Sequence, residues 1–284
     1  MRPPRAFDRL IQVPTALLTV TLILFAFALL LFLSLRRNDG GLIGLDLTLD
    51  GYVRAVTDPL YAMVLLRSLV VAGLVTAATV LAAYPMAYFI AFHAGARKGT
   101  WLLLVTLPFW TSYLLRVFAW KIILGYNGIL NSALVGTGVV AQPLEALLYT
   151  PGAMVLTLAH AYAAFAILPI VVRLDTIDPR LIEAARDLGA APAKVFRRVI
   201  LPLSMPGVAA ASIVVFIPTL GDYVTPALVG GPSSTMIGTV IQAQFGKAND
   251  WPFGAALSVL LMLCLGLGWF AIRAATRLAR RVTA

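Results

Sequence analysis

Cysteine and histidine are almost missing from this 284-residue chain: Cys264 stands alone, and His93 and His160 are the only histidines. One thiol cannot close an intramolecular disulfide, and two histidines without a second cysteine form no cluster of metal-ligand spacing, so no metal site is expected. Charge is scarce as well. Only 12% of the residues are Asp, Glu, Lys or Arg, about half the share found in soluble domains, whereas 61% are apolar. These proportions exclude an ordinary cytosolic enzyme. The phosphate-cradling run G-x-x-x-x-G-K-[ST] is absent, because Gly246-Lys247 is followed by Ala248. H-E-x-x-H and G-x-S-x-G are absent too, which leaves an intramembrane enzyme without a catalytic constellation.

What is present is a series of long uncharged runs. A bilayer core about 30 Å thick is crossed by about 20 apolar residues in helical form, since the backbone must satisfy its own hydrogen bonds there. Five runs qualify outright, Thr15 to Leu35, Ser68 to Phe92, Ala146 to Val172, Val199 to Gly221 and Trp251 to Ile272, and a sixth, Thr100 to Leu115, is shorter before Arg116 but stays apolar through Trp120. The expected fold is all-α, a polytopic membrane helix bundle with six transmembrane helices, and no β signal competes with it. Pro85 is expected to kink the second span. The run behind Arg2, Arg5 and Arg9 is too long for a cleavable signal and reads as a signal anchor. A carrier driven by ion gradients alone would show mid-membrane ionisable residues and internal repeats, and neither is evident.

The net charge of +10 first suggests nucleic acid. Sorted by span with the N-terminus inside, fifteen of the 22 basic residues and five of the twelve acids fall on one face. That face carries the whole excess and the other is neutral, so the charge reports orientation, with both termini cytoplasmic and no nucleic-acid partner.

Among the connections, Asn38 to Leu66 reads as an ordered polar loop with one short helix, and Gly125 to Thr150 as turns around a re-entrant or interfacial helix. Arg173 to Arg198 is different. Asp178 can cap a helix with Pro179 in its first position. Leu181, Ile182, Ala185 and Leu188 then form one apolar face opposite Arg180, Glu183, Arg186 and Asp187, and Gly189 ends the helix. A second helix begins near Pro192 and runs into the fifth span, whose entry Pro202 and Pro206 should bend. A helix with acids and bases mixed on its polar face is expected to dock on protein rather than on lipid headgroups.

These residues resemble a known family. Glu183-Ala184-Ala185, Gly189 and then Leu201-Pro202 are similar to the EAA loop of binding-protein-dependent ABC importer permeases, with Val199 where the family favours Ile and Ala191 where it often has Ser or Thr. From about Leu65 to Arg273, Pro108-Phe109-Trp110-Thr111-Ser112, Phe216-Ile217-Pro218, Gly230-Gly231-Pro232 and Asp250-Trp251-Pro252-Phe253-Gly254 resemble the spermidine/putrescine branch, first permease subunit. Relatives in that branch carry iron, opines, amino-acid-like amines or aminophosphonates.

The resemblance implies a type I ABC importer permease fold. Residues 1–62 would hold a cytoplasmic tail, the first span and an outer loop; 63–275 the transport domain, with a five-helix core and the EAA loop at 173–202; and 276–284 a basic cytoplasmic tail. It implies a transport subunit in a bacterial inner membrane, not an enzyme. Its partners would be a second permease, forming a heterodimer, an ABC ATPase dimer using ATP and Mg, and an extracytoplasmic solute-binding protein. Glu183, Ala184, Ala185, Arg186, Asp187, Leu188, Gly189, Leu201 and Pro202 would couple the chain to the ATPase.

A polyamine cargo needs carboxylates and aromatic faces in place of lost water. Asp222 and Tyr223, after Pro218 and Gly221 at the outer end of span five, either line a cavity or cap a helix. Trp110 and Tyr113, with Trp120 and Tyr126, either line the path or anchor the interface. Arg116 and Lys121 would suit an anionic cargo. Asp250 and Glu145 could instead meet the binding protein. His160 reads as a hydrogen-bonded packing residue, and Cys264, near Gly266 and Gly268, as a small helix-contact residue.

Overall fold

The computed structural model describes residues 5–282, and side-chain surroundings for residues 13–270 except 45, 146 and 269. Arg2, and the side chains of Arg5, Arg9, Arg273, Arg277, Arg280 and Arg281, all counted in the charge tally, lie outside the described residues, as do the last two residues of the 276–284 tail. The chain divides into two compact units, residues 1–62 with 240–284, and residues 63–239.

In the first unit α1 (Arg5–Ser34) packs along α12 (Trp251–Val282), the helix that follows α11 (Ile237–Phe245) in the chain. The described α1 side chains are almost all exposed, as expected of a helix that meets lipid or another subunit. The polar loop holds two strands, β1 (Arg36–Asp39) and β2 (Leu42–Leu47), paired antiparallel with Asp39 opposite Leu42. This small hairpin does not compete with the helices: Gly40 and Gly41 both have positive φ and form a two-residue turn that reverses the chain. The short helix expected next is α2 (Asp50–Thr57). Tyr61 meets Phe253 edge-on at 5.1 Å, and the Arg54 guanidinium lies 4.3 Å from the Phe253 ring centre while pairing with Asp250 at 3.7 Å. Asp250 also caps α12, its Oδ1 accepting from Phe253 N at 3.3 Å.

The second unit is built on α3 (Pro59–Phe92, shared with the first), α7 (Pro151–Asp175) and α10 (Leu201–Gly221). Val75, Ala83 and Ile90 of α3, Met154, Leu158, Ile170 and Leu174 of α7, and Ala211 and Val215 of α10 form its core. Alanines at these crossings allow close approach, which matters where lipid is as apolar as leucine and packing rather than water exclusion drives association. Pro85 lies inside α3.

Among the described residues, five helices are long and apolar enough to cross a membrane: Val13–Ser34, Pro59–Phe92, Pro151–Asp175, Pro192–Gly221 and Trp251–Gly268. The expected third span is instead broken. Helix α4 (Lys98–Thr106) leads through a tight 3-10 turn at Leu107–Trp110 to α5 (Tyr113–Leu124), with a bend of 86° between the two arms. Counted as one span, this pair makes the sixth. Pro108 cannot donate to the preceding turn, and Thr111 and Ser112 take extended geometry, so the helix cannot continue. Helix α6 (Ile129–Gly136) then supplies the helix expected in the following connection. Buried Asn131 holds that connection, donating to the carbonyls of Gly125 and Leu144 at 3.2 and 3.1 Å and accepting from Leu144 N at 2.8 Å.

Candidate coupling loop and cargo site

Between α7 and α10 the chain forms α8 (Pro179–Asp187) and α9 (Pro192–Val195). Asp178 caps α8 as expected, its Oδ1 accepting from Arg180 N at 3.0 Å. Gly189 stops the helix at φ +76°, a left-handed conformation in which side chains other than Gly, Asn and Asp are strained. Ala191 has no side-chain cap, and its carbonyl instead accepts from Lys194 N at 2.8 Å. A wide π turn at Phe196–Ile200 follows, just before Pro202, which cannot donate to the Arg198 carbonyl.

The apolar face of α8 is not one surface, and here the expectation needs correcting. Ile182 and Ala185 turn inward against the unit's core, whereas Leu181 and Leu188 are exposed, Leu188 at 87%. The loop's inner packing takes half of the stripe. Leu181, Ala184 and Leu188, spaced i, i+3 and i+7, are left outward beside exposed Glu183, Arg186 and Asp187. Leu201 and Pro202 lie at the start of α10.

Of the six aromatic and acidic residues expected on the cargo path, the fold joins two, Tyr113 and Asp222. Tyr113 opens α5 after the bend, and its hydroxyl donates to Asp222 Oδ2 at 2.6 Å and lies 2.7 Å from Thr225 Oγ1. Asp222, 7% exposed at the end of α10, accepts with its other oxygen from Val224 N at 2.9 Å. Of the two sequence readings of Asp222, these contacts match capping: it holds the next turn and also accepts from an aromatic hydroxyl distant in the chain. Gly238 backs the site, where a Cβ would stand 2.6 Å from the Gly221 carbonyl oxygen. Trp110 at 84% exposed and Tyr223 at about half are not brought into this cluster. An open hollow of about 470 Å³ lined by Tyr149, Pro226, Gly231, Thr235 and Thr239 lies along the segment after Thr225, and the Tyr113–Asp222 pair is not in its wall.

Sequence reasoning missed Thr225 and Tyr162, the latter with its ring 6.5 Å from that of Tyr113. Arg116, one turn beyond Tyr113, holds its guanidinium 4.6 Å from the Phe109 ring centre and donates to the Ala161 carbonyl at 3.4 Å, with Nε buried and unpaired. Trp120 donates to His160 Nδ1 at 3.1 Å, so the hydrogen-bonded packing reading of His160 finds its partner in an indole. Cys264 is exposed, and among the described residues nothing stands within 4 Å of a Cβ built on Gly266 or Gly268. Glu145 starts a 3-10 turn, and Asp250 is engaged by Arg54. Lys98 pairs with Asp175, and both were assigned to the inner face from charge counting; Arg54 and Asp250, which also pair, were both assigned to the outer.

The model of binding-protein-dependent transport system inner membrane components matches residues 1–283. This chain belongs to that family. The permease is 38% identical over 247 residues to the spermidine/putrescine transport system permease protein PotB of Escherichia coli K12, covering 87% of this chain and 89% of that one. It is 36% identical to the PotB of Haemophilus influenzae, covering 87% and 86%. In solved structures it is similar to a chain of a bacterial ABC transporter involved in alginate import, with a TM-score of 0.67, 18% identity and coverage of 96% and 99%. The permease thus has the type I ABC importer fold, and as a membrane transport subunit it is not itself an enzyme.

Proposed function

We propose that this permease carries polyamine cations of the spermidine/putrescine type across a bacterial inner membrane, with both termini in the cytoplasm. The observation that carries the reading is its 38% identity to PotB over most of both chains. A buried carboxylate beside aromatic hydroxyls supports it, because Asp222 with Tyr113 can replace water around an ammonium group. Trp110 and Tyr223 would serve nearer the surface of the same path. A second permease would complete the channel, in keeping with the 35% identity over 101 residues to PotC of Escherichia coli K12.

The outward side of α8, with Glu183, Ala184, Arg186, Asp187 and Leu188, would seat in an ATPase subunit that binds ATP and Mg. Ala185 would brace α8 from inside, Gly189 would set its angle, and Leu201 and Pro202 would return the motion to α10. Closure of the ATPase pair would then favour one access state, and reversing a 1:99 population takes a differential affinity of about 5.5 kcal/mol.

The cognate solute-binding protein tests the cargo. Thermal-shift screening against spermidine, putrescine, amino acids and metal ions should single out a polyamine, and the reconstituted assembly should then take it up with ATP. Stabilisation by an amino acid or a metal alone would overturn the polyamine reading.

A further inference from the structure

We infer that Arg173 is a positioning residue that closes the coupling loop at its root, so that the loop moves as a rigid lever. This rests on the proposed coupling role of α8. Arg173 lies in the last turn of α7, before the loop leaves the bundle, and its Nε donates to the carbonyl of Leu203 in the first turn of α10, at 2.9 Å, where the loop returns. The guanidinium is itself oriented: one terminal nitrogen donates to Thr176 Oγ1 at 3.2 Å, and that hydroxyl donates to the Arg173 carbonyl at 2.7 Å.

Beneath the arginine stem the two helices touch at Gly207. A Cβ there would stand 2.6 Å from Arg173 Cβ and 2.9 Å from the Pro169 carbonyl oxygen. Two straps flank the clamp. Tyr84 of α3 shares a 2.8 Å hydrogen bond with Ser204, and Lys98, at the start of α4, pairs with Asp175. Ile182, Ala185 and Ala190 seat the loop's body against the core.

A push on α8 therefore reaches a root at which α7 and α10 are tied to each other. It is passed to both helices together and, through Asp175 and Lys98, to α4, the arm of the broken span that precedes Tyr113. Without the clamp the loop could tilt on its own, and ATP turnover would continue with the bundle unmoved. A coupling route of this kind has to be shown by its effect on coupling.

The experiment uses the full importer in proteoliposomes and reads polyamine moved per ATP hydrolysed, together with ATPase co-purification. Arg173→Met keeps the stem over Gly207 and deletes the donors. Arg173→Gln places an amide N–H at the same chain position as Nε, while removing the charge and the terminal nitrogen that reaches Thr176. We expect the Met variant to keep the ATPase bound while transport per ATP falls about tenfold, and the Gln variant to stay within about twofold of the native chain. A Met variant with native stoichiometry, a Gln variant as uncoupled as Met, or loss of assembly in the Met variant would each overturn the inference. Gly189→Asp separates this from the reading beneath it: if that change leaves ATPase binding intact, the docking role of α8 fails whatever Arg173 does.

Discussion

Replacing Tyr113 by Phe removes one oxygen and little else, so it isolates what the Tyr113–Asp222 contact contributes. In the native chain the Tyr113 hydroxyl donates to Asp222 Oδ2 at 2.6 Å, at a position where the carboxylate is 7% exposed. Neutral polar pairs between membrane helices average about 0.6 kcal/mol in double-mutant cycles, with a maximum near 1.7, because polar groups also find partners in the unfolded chain. Bonds to charged acceptors are roughly twice as strong as neutral ones. The expected coupling between Tyr113 and Asp222 is therefore about 1–2 kcal/mol. Tyr113→Phe should cost at least that much, since one carboxylate oxygen loses its strongest donor. Asp222→Asn should cost less, because an amide oxygen can still accept from the tyrosine. The assay is reversible unfolding in mixed micelles for Tyr113→Phe, Asp222→Ala and the double variant, with Asp222→Asn as the mild control. A coupling energy below about 0.3 kcal/mol, the scatter expected of independent sites, would refute the claim that these residues form an energetic unit. Uptake adds a second criterion. If Asp222 holds the cargo's ammonium, Asp222→Asn should lower uptake more than tenfold while leaving the binding protein's own affinity unchanged.

Three further outcomes are expected. Gly189→Asp should abolish ATPase co-purification without removing the permease from the membrane, because aspartate tolerates the left-handed φ of +76° while adding charge and bulk beside α8; retained co-purification would exclude α8 as the docking element. Asn131→Leu should lower stability by about 2–3 kcal/mol, since the Leu144 N–H and two carbonyls lose their buried partner, and proteolysis should then cut sooner within residues 137–150. Gly207→Val should separate α7 from α10 at a cost of about 1–3 kcal/mol, read as a lower unfolding midpoint; an unchanged midpoint would mean that the crossing at Arg173 yields easily.

The features legible from sequence alone are those set by local chemistry. Uncharged runs located the helices because a lipid-embedded backbone must satisfy itself within each segment, and Asp178-Pro179 and Gly189 marked the ends of α8 because caps and left-handed turns depend on neighbouring residues. Charge sorting by span puts Lys98 with Asp175, and Arg54 with Asp250, on common faces, and each of these pairs is in contact. Tertiary structure alone decided which side chains meet. A helix apolar on every side carries no stripe to reveal its packing face, so nothing in α7 singled out Tyr162 for Tyr113, or His160 for Trp120. The amphipathic α8 shows the same limit from the other direction. Its stripe was legible, yet only packing assigned Ile182 and Ala185 to the core and left Leu181 and Leu188 exposed. Pairing of Tyr113 with Asp222, and of Arg173 with the Leu203 carbonyl, depends on how kinked helices cross, and the crossing is settled by volumes such as the missing side chain of Gly207.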